Sequence, residues 1–167
     1  MTRTGKPDQA SRAELAHEAR SAWAEARTLL LVCLGNICRS PFAEHLARAH
    51  LDGDRNLISA GSYPVPGRSA PAQAIEAARP FGVDLRAHRS RVLSREMLQQ
   101  ADAVYVFDHE NYRAAVSEHA FPEQVHCLAA LADDGPLSIS DPFGGPASEY
   151  ELVYRQIAAA IEASTPP

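Results

Sequence analysis

Long hydrophobic runs are missing from this sequence. The longest strongly apolar stretch is Leu29–Leu34, far short of the about 18 residues that cross a membrane. No membrane association is expected. The N-terminal segment MTRTGKPDQASRAELAHEAR lacks the apolar core of a secretory signal peptide. Cationic charge is scarce as well: 16 Lys and Arg against 21 Asp and Glu leave a net charge of -5. No excess cation is available to neutralise a phosphate backbone, which argues against a nucleic-acid partner. Lysine is almost absent, with Lys6 alone, and this reads as a compositional bias. Cysteines number three, an odd count that gives no disulfide framework. What is present is globular: 46% hydrophobic and 22% charged residues over 167 positions. That is one domain, long enough to bury about two thirds of its unfolded surface without a metal or disulfide. A soluble cytoplasmic protein is expected.

The pattern along the chain divides it into an extension, 1–27, and a domain, 28–165. Residues 1–10 are polar and carry Gly5 and Pro7, so a flexible tail is expected. Over 11–27, Ser11 and Glu14 form a capping box, and Leu15, Ala19, Ala22, Trp23 and Ala26 repeat at helical spacing. This stripe is mostly alanine and needs a docking surface, on this domain or on a partner, with Trp23 as its anchor. TLLLVCLG, from Thr28, reads as a strand buried on both faces. Strand-like runs recur at Asn56–Ala60, Ala103–Phe107 and Gln124–Leu128. Helical patterns lie at Ala70–Ala78, Arg95–Ala101, Asn111–Ala120 and from Pro146 onward. Alternation of this kind implies α/β architecture: a parallel sheet with helices on both faces. Asp133–Pro146, with three Gly and three Pro, is a long irregular loop, where function often resides.

The informative segment is LLLVCLGNICRSPFAE, residues 29–44. A loop joins a buried strand to a helix N-terminus, with Ser40 and Pro41 expected as N-cap and first helical residue. Ligands sit at this end of parallel strands in open α/β folds. Backbone N–H groups of such a loop, aided by the helix dipole, cradle an anion. Gly35 allows a positive φ or a close backbone approach. Arg39 can grip two phosphate oxygens with its planar fork. Cys33 would lie in the same positive field, which favours a nucleophilic thiolate at neutral pH. Ser40 can donate to the sulfur, and Asn36 can fix the loop. No nucleotide-binding G-x-x-x-x-G-K-[ST] occurs. Cys33 and Cys38 lack zinc-site spacing, so neither metal nor cofactor is expected.

V-C-L-G-N-I-C-R-S-P resembles the signature of the low-molecular-weight protein tyrosine phosphatases. The resemblance runs from about Thr28 to Glu162 and includes I-S-A-G at 58–61, A-H-R-S-R at 87–91, F-D-H-E-N at 107–111 and D-P-F at 141–143. It implies a four-stranded parallel sheet of flavodoxin-like topology and metal-free phosphomonoester hydrolysis through a cysteinyl-phosphate. It implies Cys33 and Arg39 as catalytic, with Leu34, Gly35, Asn36, Ile37, Cys38 and Ser40 completing the phosphate-binding loop. Asp141, ahead of Pro142, matches the general acid. Ser59 and His88 match residues that hydrogen-bond the loop Asn. Cys38 matches a cysteine that forms a reversible disulfide with the nucleophile. Phe107 stands where the family's M-D-x-x-N block begins with Met, which reads as a packing change around Asp108 and Asn111. Cys127 reads as core, and Asp133 and Asp134 as solvated.

Rival readings share the loop. Arsenate reductases of this fold need further cysteines, but residues 39–126 contain none and Cys127 has no partner. Protein-arginine phosphatases resemble SAGSYPVPGRSAP and DPFGG, but typically carry Thr where this chain has Ile37, the apolar residue usual in tyrosine phosphatases. A non-catalytic phosphate-binding module would have lost Cys33, Arg39 or Asp141. The expected partners are therefore phosphotyrosine proteins, a cognate tyrosine kinase, and inorganic phosphate as product and competing ligand. The aromatic rim usual in the family is reduced to Tyr63 and Phe143, since Gly144 follows Phe143. Either the rim is open or these two form it alone.

Overall fold

A computed structural model of the chain describes residues 10–165. The expected flexible tail, 1–10, lies outside the described residues except for Ala10. Strands β1 (Thr28–Cys33), β2 (Asn56–Gly61), β3 (Ala103–Val106) and β4 (Val125–Cys127) form one parallel sheet in the order β2-β1-β3-β4. The expected fold class is the one observed. β1 has a neighbour on each side and helices on each face, so Leu29 to Cys33 are all buried. This accounts for its unbroken apolar run.

Side chains alternate across the sheet. Leu29, Leu31 and Cys33 face one core with Phe42 and Tyr154, whereas Leu30 and Val32 face a smaller core with Leu98 and Ala115. Helices α1 (Arg12–Glu25), α2 (Arg39–His50), α3 (Ala72–Ala78) and α6 (Ala147–Ala163) supply the first core; α4 (Arg95–Gln100) and α5 (His109–Ser117) supply the second. β4 is shorter than its sequence pattern, because Leu128–Leu131 turn into a 3-10 helix. Cys127 is only half-buried there, a correction to its reading as core.

α1 docks on the same chain. Glu14 N–H donates to Ser11 Oγ (3.2 Å) and Ser11 N–H to Glu14 Oε2 (2.7 Å), the expected capping box. Trp23 packs edge-on against Tyr105 at 5.0 Å, and Tyr105 Oη donates to the Ala19 carbonyl at 2.7 Å. Three arginines tie down the helix, at its start, middle and end. The Arg12 guanidinium donates to the carbonyls of Ala129, Ala132, Asp134 and Gly135. Arg20 donates to the Leu131 carbonyl, and Arg55 to those of Trp23 and Ala26. Asp133, expected to be merely solvated, is exposed yet pairs with Arg20 at 2.9 Å.

Candidate active site

Cys33 ends β1 at the carboxyl edge of the sheet, and residues 34–38 turn directly into α2. Its register partner on β2 is Gly61. A Cβ on Gly61 would come within 2.6 Å of Leu34 O and 2.7 Å of Asn36 N. Glycine is required there because the loop backbone lies against β2. Gly35 has a different constraint: its Cβ would meet Arg68 Nη2 at 2.8 Å. Of its two expected uses, close approach is the one found. The positive φ falls instead on Asn36, at 53°.

Asn36 is fully buried and supports the loop with every polar atom. Its N–H donates to Cys33 Sγ at 3.2 Å. Nδ2 donates to Ser40 Oγ (2.8 Å) and Ser59 Oγ (2.9 Å). Oδ1 accepts from Arg91 N–H (2.8 Å), and the carbonyl accepts from His88 Nε2 (2.7 Å). That last bond requires the proton on Nε2. These contacts hold Asn36 in the left-handed region, which Asn tolerates better than most residues. Burial lowers the His88 pKa, with the Asn36 carbonyl opposing the shift.

α2 begins earlier than its sequence predicts. Its N-cap position is Cys38 and its first residue Arg39, so Ser40 and Pro41 lie inside the first turn. Ser40 caps nothing, because its hydroxyl faces the thiol: Cys33 Sγ and Ser40 Oγ are 3.0 Å apart. Burial pushes the Cys38 thiol up to about 12, the Tyr150 hydroxyl beside it opposing the shift.

Arg39 is buried to 1% exposure. Its Nη1 donates to Asp108 Oδ2 (2.6 Å) and to the Ile139 carbonyl (2.9 Å), while Nη2 lies 3.6 Å from Asp141 Oδ2. The Phe107 ring centroid is 5.6 Å from the guanidinium carbon. Phe107 therefore supplies a π face under the cation, in addition to packing. Asp108 caps α5 with its other oxygen, accepting from Asn111 N–H at 2.8 Å, and Asn111 Oδ1 accepts from Phe107 N–H. Local capping thus fixes the carboxylate that orients Arg39.

Asp141 accepts from Phe143 N–H at 3.1 Å, an Asx turn that leaves its second oxygen toward Arg39. A cavity of about 250 Å³ opens over the loop. Cys33, Ile37, Arg39 and Asp141 form its floor and sides, with Tyr63 and Phe143 at its mouth. Leu34, Gly35, Cys38 and Arg68 complete the lining. The mouth is open, with Tyr63 44% and Phe143 62% exposed. Gly144 has φ of 82°, which explains why no second aromatic follows Phe143.

All the candidate residues converge here except Ser59 and His88, which stand behind the loop and hold Asn36. Three roles are not evident from sequence alone. Gly61 ends the I-S-A-G block, and a lone Gly ending a buried strand is a cue for close backbone approach. Asp108 as the partner of Arg39, and Arg68 as a wall, depend on contacts 69 and 33 residues apart, which no local pattern encodes.

Comparison with known proteins places this architecture. The profile described as "Low molecular weight phosphotyrosine protein phosphatase" matches residues 28–165. The chain belongs to that family. It is 31% identical over 140 residues to the probable low molecular weight protein-tyrosine-phosphatase EpsP of Ralstonia nicotianae, covering 84% of this chain and 94% of that one. It is 30% identical over 145 residues to the protein-arginine-phosphatase of Bacillus subtilis, covering 80% and 96%. The crystal structure of the Erwinia amylovora tyrosine phosphatase AmsI matches with a TM-score of 0.77 and 27% identity over 83% of this chain and 90% of that one.

Proposed function

We propose that this protein hydrolyses phosphotyrosine in protein substrates through a cysteinyl-phosphate, using residues 28–165 as its catalytic unit. The observation that carries the reading is the position of Cys33 Sγ, 3.2 Å from Asn36 N and 3.0 Å from Ser40 Oγ, in one cavity with Arg39 and Asp141. The amides of the 34–39 loop and the Arg39 fork bind the phosphate oxygens and stabilise the charge of the transition state. Cys33 attacks phosphorus in line as the P–O bond to tyrosine breaks. Asp141 gives its proton to the departing phenolate, then as a carboxylate takes one from the water that splits the S–P bond. Inorganic phosphate is released and competes for the same cradle.

Tyrosine is favoured over arginine as the phosphorylated residue. Ile37 and the rings of Tyr63 and Phe143 suit a flat aromatic group. A phosphoguanidinium would enter beside Arg68, another guanidinium, with Asp141 the only carboxylate among the cavity-lining residues. A cytoplasmic setting fits a mechanism that needs Cys33 reduced, and a cognate tyrosine kinase would supply the substrate. No helix among the described residues is long and apolar enough to cross a membrane.

The decisive assay compares turnover of a phosphotyrosine peptide, phosphoarginine and arsenate, with a chelator and no added metal. Phosphotyrosine cleavage that survives the chelator and vanishes in Cys33→Ser is the expected result. Preferred cleavage of phosphoarginine, or retention of more than a percent of activity by Cys33→Ser, overturns it.

A further inference from the structure

The cavity holds two guanidinium groups, and they are not equivalent. Arg39 already lies between two carboxylates, Asp108 at 2.6 Å and Asp141 at 3.6 Å. Arg68 has no carboxylate within 4.0 Å among the described residues. Its guanidinium carbon lies 4.3 Å from the Tyr63 ring centroid, a stacking arrangement. Its Nη2 donates to the Gly35 carbonyl at 3.2 Å, and the missing Cβ of Gly35 leaves it room. Its Nε is buried with no hydrogen-bond partner. The backbone holds the residue in place from both sides: Arg68 N–H donates to Ser90 Oγ at 2.9 Å, and the Arg68 carbonyl accepts from Ser90 N–H at 2.9 Å. A fixed, uncompensated cation therefore lines the wall of a cleft in a protein whose net charge is -5.

This charge is placed for something other than the transferred phosphate. Arg68 binds the loop through the Gly35 carbonyl, whereas the next residue's N–H, that of Asn36, turns toward Cys33. Tyr63, on which Arg68 stacks, stands at the mouth and not at the floor. A phosphotyrosine ring held between Tyr63 and Phe143 brings the neighbouring residues of its peptide to that mouth. We propose that Arg68 makes this enzyme selective for phosphotyrosine flanked by acidic side chains. A carboxylate on the substrate provides the ion-pair partner that the fold withholds from Arg68, and the Tyr63 stack holds the fork flat for two-pronged recognition. A lysine or arginine in the same place meets like charge. This inference rests on the phosphotyrosine reading and adds to it the substrate sequence class.

The test uses the full chain and a set of phosphotyrosine peptides identical except for Glu, Gln or Lys in the two positions on each side. kcat/KM is compared within each protein, so that any general loss of activity cancels. Wild type should prefer Glu over Lys by about tenfold, attraction on one side adding to repulsion on the other. The ratio should shrink as salt is raised from low ionic strength to above 0.5 M, where screening is short-ranged. Arg68→Gln should bring the ratio close to one, and Arg68→Lys, which keeps the charge but loses the fork and its stack on Tyr63, should keep only part of it. If wild type cleaves all the peptides with equal kcat/KM, or if Arg68→Gln keeps the full preference, the inference is overturned while the phosphatase reading stands. If no phosphotyrosine peptide is cleaved at all, the phosphatase reading itself fails. Should Arg68→Gln not fold, Arg68→Lys decides: a ratio below that of wild type supports the inference, and a ratio equal to wild type overturns it.

Discussion

Ser40 Oγ lies 3.0 Å from Cys33 Sγ and accepts a hydrogen bond from Asn36 Nδ2 at 2.8 Å. Because the oxygen already accepts, its own proton is free to point at sulfur. A hydroxyl donated to a thiolate stabilises the charged form by about 1.5–3 kcal/mol. Ser40→Ala should therefore lower kcat/KM near neutral pH by roughly 10- to 100-fold. Rates equal to wild type at pH 6 to 7 would show that the hydroxyl has no part in holding the thiolate.

Asp141→Asn tests proton delivery. An aryl phosphate with strongly electron-withdrawing substituents leaves as a stable anion and needs little help. Tyrosine leaves as an oxyanion of pKa about 10 and needs a proton. The variant should slow phosphotyrosine cleavage far more than cleavage of the activated ester. Equal slowing of both substrates would make Asp141 a positioning residue beside Arg39.

Cys38 and Cys33 line the same cavity, and burial pushes the Cys38 thiol up to about 12. After mild peroxide, Cys33 sulfenic acid should condense with Cys38, releasing water and forming a disulfide that dithiol reverses. Since the thiolate is the attacking form, closure should quicken from pH 7 to pH 9. Mass spectrometry is the check. Only sulfinic or sulfonic Cys33, with Cys38 unmodified, would exclude the shielding role.

Two histidines make stability depend on acid. Burial lowers the pKa of both His88 and His126 below the ordinary 6.5. The unfolded chain therefore takes up protons that the folded chain refuses. Stability from these groups is full above pH 6.5 and falls as pH drops toward their folded values. Melting temperature should decline from pH 7 to pH 5, with a shallower decline in His126→Gln, which lies away from the cleft. An unchanged slope in that variant would assign the acid sensitivity to other groups.

Gly61→Ala should damage the site without touching a reacting group. The added carbon would meet backbone atoms of Leu34, Gly35 and Asn36 at 2.6–2.8 Å, and backbone cannot rotate away. We expect a loss on the order of 100-fold in kcat/KM, since about an ångström of misplacement has that effect, together with weaker phosphate binding. Near-normal kinetics would mean the loop is more pliant than its contacts indicate.

How much of this was legible in sequence depended on range. The buried run TLLLVC, the Ser11–Glu14 box and the C-x5-R-S loop are local patterns, and each has its counterpart in the structure. α2 starts before Ser40 although Ser40 is an ordinary N-cap residue in local terms, because the thiol seven residues earlier redirects its hydroxyl. Gly35 admits either a positive φ or a close approach, and the structure uses the second. Asn36 takes the positive φ instead because Ser59, His88 and Arg91 hold it from two other segments. Arg68 carried no signal, since a cation near a glycine is unremarkable until the fold sets it beside Gly35 and Tyr63.

Trp23 is the chain's single tryptophan and lies 1% exposed where α1 meets Tyr105. Its indole N–H is buried with no partner among the described residues. The protein thus carries one indole, selectively excited at the red edge of the aromatic absorption, seated at the junction of extension and sheet and outside the cleft lining. Its emission should be blue-shifted in the native state and move to the red when α1 lifts away, while ligands entering the cleft leave it unchanged. Fluorescence and turnover followed along one denaturant series would separate undocking of the extension from collapse of the catalytic unit.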